Sequence, residues 1–198
     1  ILLAKSQLDY EFGKDEARIS AHVASKGVIA FFRDFKSRSI AELVRKDTGW
    51  APKTLLMERI SGREVVNSNV IWDDTSSVVS ETRVPELDLT EVHPLNDRMK
   101  VNVLDPYSAV LRLLNQIEKT GDCTSTYEIY DGRRRSRIYF EMIGKTILKQ
   151  DRPGVFTGSA MVCSVKFDPI GGHRINSKWR SNKDQKGRIK MFFARTLE

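Results

Sequence analysis

The sequence predicts a mainly β protein: a long, curved antiparallel sheet, shaped as an open barrel or β-spiral, with two short helices packed on it. Three observations carry that reading. Apolar and polar residues alternate with period two along most of the chain, turn residues part the alternating runs at hairpin spacing, and only two segments repeat with the helical period. A chain of 198 residues, 40% hydrophobic and 30% charged, is long enough to bury a core and too apolar to stay disordered. With 12 Gly, 6 Pro and 2 Cys it is neither fibrous nor a disulfide-dense scaffold. No run approaches the roughly 18 apolar residues of a membrane-spanning helix. A single soluble β-rich domain over residues 1–198 is therefore expected.

The elements follow in order. Leu8, Tyr10 and Phe12 share one face of a first strand, with Gln7, Asp9 and Glu11 on the other. After the Gly13-Lys14-Asp15 turn, Ala17, Ile19, Ala21 and Val23 alternate with Arg18, Ser20 and His22, completing a hairpin. Val28, Phe31, Phe32 and Phe35 then fall at i, i+3, i+4 and i+7, which predicts a helix of about two turns. Strands are predicted at 53–60, 64–72 and 76–83, parted by Ser61-Gly62-Arg63 and Asp73-Asp74.

Residues 84–104 carry Pro85, Pro94 and several acids with poor alternation, and read as a connecting loop. The second helix is well signposted: Asp105 as N-cap, Pro106 at the first helical position, Val110, Leu113, Leu114 and Ile117 on one face, and Gly121 at the end. Strands at 123–130 and 134–143 flank Tyr130-Asp131-Gly132-Arg133, whose Asp-Gly pair is a strong hairpin signal. Further strands are expected at 145–149, 156–167 and 187–195.

Charge is uneven. Residues 1–99 hold 14 Lys+Arg against 16 Asp+Glu, a net of −2, whereas residues 100–198 hold 19 against 10, a net of +9. A basic half attracts polyanions or serves as a solvated surface. The most concentrated part is Arg133-Arg134-Arg135 with Arg137, where strand alternation places Arg133, Arg135 and Arg137 on one face. The tail adds Arg174, Lys178 and Arg180, with Trp179 among them. Arg133, Arg135, Arg137, Arg174, Lys178 and Arg180 are thus the candidate anion-binding residues, since guanidinium and ammonium groups match phosphate. The same residues also suit a charged hairpin edge that deters strand-to-strand aggregation.

Other chemistry finds no motif. His22, His93 and His173 lack a second ligand at metal-binding spacing, so no metal is expected. GxSxG, P-loop and GxGxxG patterns are absent, and acid pairs such as Asp73-Asp74 sit in turns, so neither catalytic residues nor a cofactor is expected. Cys123 and Cys163 lie in strand-like segments, compatible with a cross-strand bridge or with two buried thiols.

Several segments together resemble a bacterial family, domain of unknown function 3108. Leu104-Asp105-Pro106-Tyr107-Ser108-Ala109 resembles its DPxSA helix start, and Cys123 followed by Asp131-Gly132-Arg133-Arg134-Arg135 is similar to its Cys…DGRRR hairpin. Val162-Cys163-Ser164-Val165 and Pro169-Ile170-Gly171-Gly172 resemble its second cysteine strand and following turn. The resemblance implies a β-rich, exported protein of Gram-negative bacteria, a Cys123–Cys163 disulfide and a periplasmic location. Family members usually begin with a signal peptide and a short strand. This chain opens at Ile1 rather than Met, so the natural N-terminus is expected upstream, and Ile1-Leu2-Leu3-Ala4 meets Lys5 too soon to form a signal core itself.

Taken together, the expected function is that of a non-enzymatic periplasmic cell-envelope protein. It would bind a lipid, lipoprotein or other envelope component through a concave apolar face or a basic rim. The alternative is a structural or interaction protein that binds another envelope protein and no small ligand. Neither a nucleic-acid partner nor a membrane span is expected.

Overall fold

A computed structural model describes residues 4–26, 35–150, 154–176 and 189–195. Among the described residues ten strands form two antiparallel sheets, the longer of six strands and the other of four. Strands β1 (Ala4–Phe12), β2 (Glu16–Ser25), β3 (Phe35–Lys46), β4 (Gly49–Ser61), β5 (Glu64–Trp72) and β6 (Val78–Val84) pair in chain order. Strands β7 (Ser125–Tyr130), β8 (Arg135–Leu148), β9 (Gly158–Gly171) and β10 (Ile189–Phe193) form the second sheet in the order β10-β9-β8-β7. Among the described residues neither sheet closes on itself, so there is no closed barrel.

That helix, α1 (Pro106–Thr120), begins as the sequence predicts: Asp105 accepts from the Tyr107 and Ser108 backbone N–H groups, and Gly121 ends it in the left-handed region at φ 71°. Its packing differs from the single stripe expected. Tyr107 and Leu111 pack on the first sheet with Ala41, Leu43, Leu55 and Val70, whereas Ala109 and Leu113 pack on the second with Ile129, Phe140 and Val165. Sandwiched between two sheets, α1 needs two apolar faces, and Val110 and Leu114 of the expected stripe are left 39% and 43% exposed. The other predicted helix, 28–35, falls outside the described residues except for Phe35, which opens β3.

Strand β3 was not evident from the sequence because its inward positions include the small Ser39 and Ala41, while Ile40 and Val44 sit on the opposite face. Pro52, fully buried in β4, is tolerated because the β3–β4 register shifts between Glu42 and Leu43, a bulge where a ladder donor is dispensable. The predicted strands 134–143 and 145–149 are one strand, β8, with a register shift between Met142 and Gly144. The 84–104 segment is a connection as expected, but it is built in. It contains two 3-10 turns, buries Val92 and Val103, and joins the second sheet through a parallel bridge from Leu104 to Ile129.

Candidate anion-binding cavity

The site grows out of the Tyr130–Arg134 turn. Asp131 Oδ1 accepts from the backbone N–H groups of Arg133 (3.1 Å) and Arg134 (2.7 Å), and its Oδ2 holds the Arg134 guanidinium at 2.6 Å. Gly132 at φ 80° makes the reversal and leaves room for Val70, whose Cγ2 would lie 2.9 Å from an added Cβ. Across from the turn, Gly172 approaches so closely that a Cβ there would sit 1.8 Å from the Arg133 carbonyl oxygen. The 91–93 segment is then strapped to 172–175: the Gly172 N–H donates to His93 O, the His93 N–H to His173 O and the Ile175 N–H to Glu91 O.

These contacts enclose a cavity of about 740 Å³ between β6, the 86–100 connection and the turn. Its apolar wall includes Leu87, Leu89, Val92 and Leu95. Its polar side holds Glu81, which accepts from Tyr130 Oη at 2.6 Å and pairs with Lys100. Burial first, then the neighbouring Glu81 carboxylate, push the Tyr130 hydroxyl well above its ordinary range, so it remains a neutral donor.

Two guanidiniums, those of Arg83 and Arg133, also line the cavity, as does the Glu86 carboxylate. Arg83 Nε is buried without a hydrogen-bond partner, and Arg133 Nε reaches only the Gly172 carbonyl at 3.4 Å. Among the described residues neither has a carboxylate at ion-pair distance. Burial depresses both, aided by Arg59 for Arg83 and by Arg134, Arg83 and Arg174 for Arg133, and opposed by the Asp131 carboxylate for both and by Glu64 for Arg83. Arginine stays protonated regardless, so the depression registers crowded, poorly solvated positive charge that an anion would relieve.

The predicted basic residues therefore separate. Arg135 and Arg137 share a strand face, as expected, but both are bound to Glu128, Arg135 at 3.1 Å, and Arg135 also donates to the Met99 carbonyl. Arg133 precedes the strand and turns into the cavity instead. Arg174 is exposed beside a neighbouring cavity of about 480 Å³ that also meets Arg133. Lys178 and Arg180 lie outside the described residues. Arg83, Lys100, Glu81 and Tyr130 were missed by sequence reading: each is an ordinary strand or loop residue that the fold brings into the cavity from a distant part of the chain.

The second cavity contains a serine–histidine contact, Ser136 Oγ to His173 Nε2 at 3.1 Å. The same Nε2 lies 3.2 Å from the Arg135 carbonyl, which can only accept. Satisfying both contacts places the proton on Nε2, leaving no lone pair towards Ser136 for general-base work. Among the described residues no three His, Cys, Asp or Glu side chains gather as a metal would require. Cys123 and Cys163 are joined, Cα to Cα 6.5 Å, within the core of the second sheet.

Fold and site together define a disulfide-pinned, two-sheet β protein with an apolar-walled cavity, lined by three basic and two acidic side chains, at the junction of its sheets. The chain matches the model of the family described as Protein of unknown function (DUF3108) over residues 3–195, and it belongs to that family. No curated protein and no solved structure matches it. Among the described residues no helix is long and apolar enough to cross a membrane.

Proposed function

We propose that this chain is a non-enzymatic binding protein of the periplasm that holds an anionic amphiphile, such as a lipid or the acylated part of a lipoprotein. The acidic head lies against Arg83 and Arg133, and the apolar portion lies along Leu87, Leu89 and Leu95. The observation that carries this reading is the pair of partly buried guanidiniums, with no carboxylate at ion-pair distance among the described residues, beside an apolar wall. A volume of about 740 Å³ is within the usual range for small-ligand sites. The Cys123–Cys163 bond supports an oxidising compartment.

Titration with a single-chain anionic phospholipid below its micelle concentration, read by calorimetry and native mass spectrometry, tests the proposal. One ligand per chain is expected. Affinity should fall about tenfold or more in Arg83→Gln/Arg133→Gln, because hydrogen bonds to charged groups contribute about 1.5–3 kcal/mol each. A zwitterionic lipid of equal chain length should bind more weakly. Equal affinity for both lipids, or no change in the double variant, overturns the proposal.

A further inference from the structure

Strand β1 is the outer strand of the first sheet, and among the described residues it pairs only with β2. All nine of its residues are exposed, including Leu8 at 57%, Tyr10 at 64% and Phe12 at 52%. A long edge carrying three large apolar side chains is a template for pairing with another strand. The phase of its open hydrogen bonds follows from the hairpin turn. The Gly13 N–H donates to Glu16 O, so the odd-numbered residues of β1 face β2. Ala4, Ser6, Leu8, Tyr10 and Phe12 therefore turn their N–H and C=O groups outward.

We infer that β1 is a homodimer interface, on which two copies of this chain pair antiparallel about a two-fold axis at Leu8. The reason is the self-complementarity of the strand. With Leu8 opposite Leu8, each Lys5 faces a Glu11 and each Gln7 faces an Asp9, all on one face. Ala4 faces Phe12 and Ser6 faces Tyr10 on the other. The charged pairs fall at non-hydrogen-bonded positions, where side chains across the ladder approach most closely.

Other registers fit less well. A shift of one residue sets outward-facing groups against inward-facing ones. A shift of two in one direction places Asp9 against Asp9. In the other direction it strips Glu11 and Phe12 of partners among the described residues. An isologous dimer requires one patch that complements itself, and the register about Leu8 meets that requirement with all nine residues of β1 partnered. The result is one sheet continuous through both copies, with the two Leu8 residues at the axis and Tyr10 and Phe12 of each further out along the shared edge.

Sedimentation of the full chain tests this together with three variants. The wild type should run at twice the 22.6 kDa of one chain at micromolar concentration. Lys5→Glu and Glu11→Lys alone should each weaken association about tenfold or more, because two attractive cross-strand pairs become repulsive. Mixing those two variants should restore a one-to-one dimer, since each then supplies what the other lacks. Leu8→Pro should give a monomer with unchanged circular dichroism, because an edge proline whose nitrogen faces away from β2 leaves the hairpin intact. A monomeric wild type, or a mixture that fails to reassociate, overturns the inference.

Discussion

Tyr130 and Glu81 join the two sheets: the phenol at the end of β7 donates to the carboxylate on β6 at 2.6 Å, on the polar side of the cavity. Tyr130 is itself 2% exposed and belongs to the core of the first sheet although its strand belongs to the second. The two sheets thus share a side chain where they share a cavity.

Removing that hydroxyl isolates the bond from the packing. Tyr130→Phe keeps the ring and should cost about 1–2 kcal/mol, since Glu81 retains Lys100 and some access to water. Denaturant titration reads the loss, and a fall in anionic-lipid affinity should accompany it as the cavity side loosens.

Glycine at 172 is a stronger requirement. It has φ 71°, and a Cβ would meet backbone rather than a movable side chain. Gly172→Ala should therefore cost about 3 kcal/mol or more. Gly62→Ala serves as the control, also at positive φ but in open space, and should cost about 1 kcal/mol. Thermal unfolding of both variants checks the contrast.

Reduction of Cys123–Cys163 releases a closure of 40 residues, which the chain-entropy model places at about 4 kcal/mol. The urea midpoint with and without reductant, and in Cys123→Ala/Cys163→Ala, should shift together. A double variant as stable as the oxidised protein would remove the bridge from the account of stability.

His173 sets a pH dependence. Burial foremost, with Arg134 and Arg133 nearby, lowers its pKa from 6.5, opposed by the bond to the Arg135 carbonyl. The unfolded chain then binds the proton more readily than the folded one. The contribution is present above pH 6.5 and is lost as pH falls through the lower folded value. Denaturant midpoints should decline on acidification below pH 6.5, and His173→Gln should flatten that part of the profile.

What the sequence disclosed was local. The Asp131-Gly132 reversal and the Asp105 cap rest on hydrogen bonds spanning two or three residues, so the chemistry is visible in a short window. The same holds for the β1–β2 hairpin, where alternation is clean. Strand β3 escaped because Ser39 and Ala41 carry little apolar signal, and the Phe31–Phe35 spacing drew attention to helical period instead. The cavity was legible only at Arg133. Arg83 lies fifty residues away in the chain, and its role depends on how β6 meets the turn. Arg135 and Arg137 lost their candidacy to Glu128, a partner that cross-strand register supplies and composition does not.

The disulfide closes a loop wholly between residues 123 and 163, so apart from the backbone itself strands β1 to β6 are held to the rest of the molecule by non-covalent contacts. Oxidation therefore protects one end of the molecule more than the other. Under graded denaturation the C-terminal hairpin remains looped while the N-terminal meander peels from α1, and protease should cut first in the amino-terminal half. Amide exchange would show the same polarity, with the slowest protons in β8 and β9.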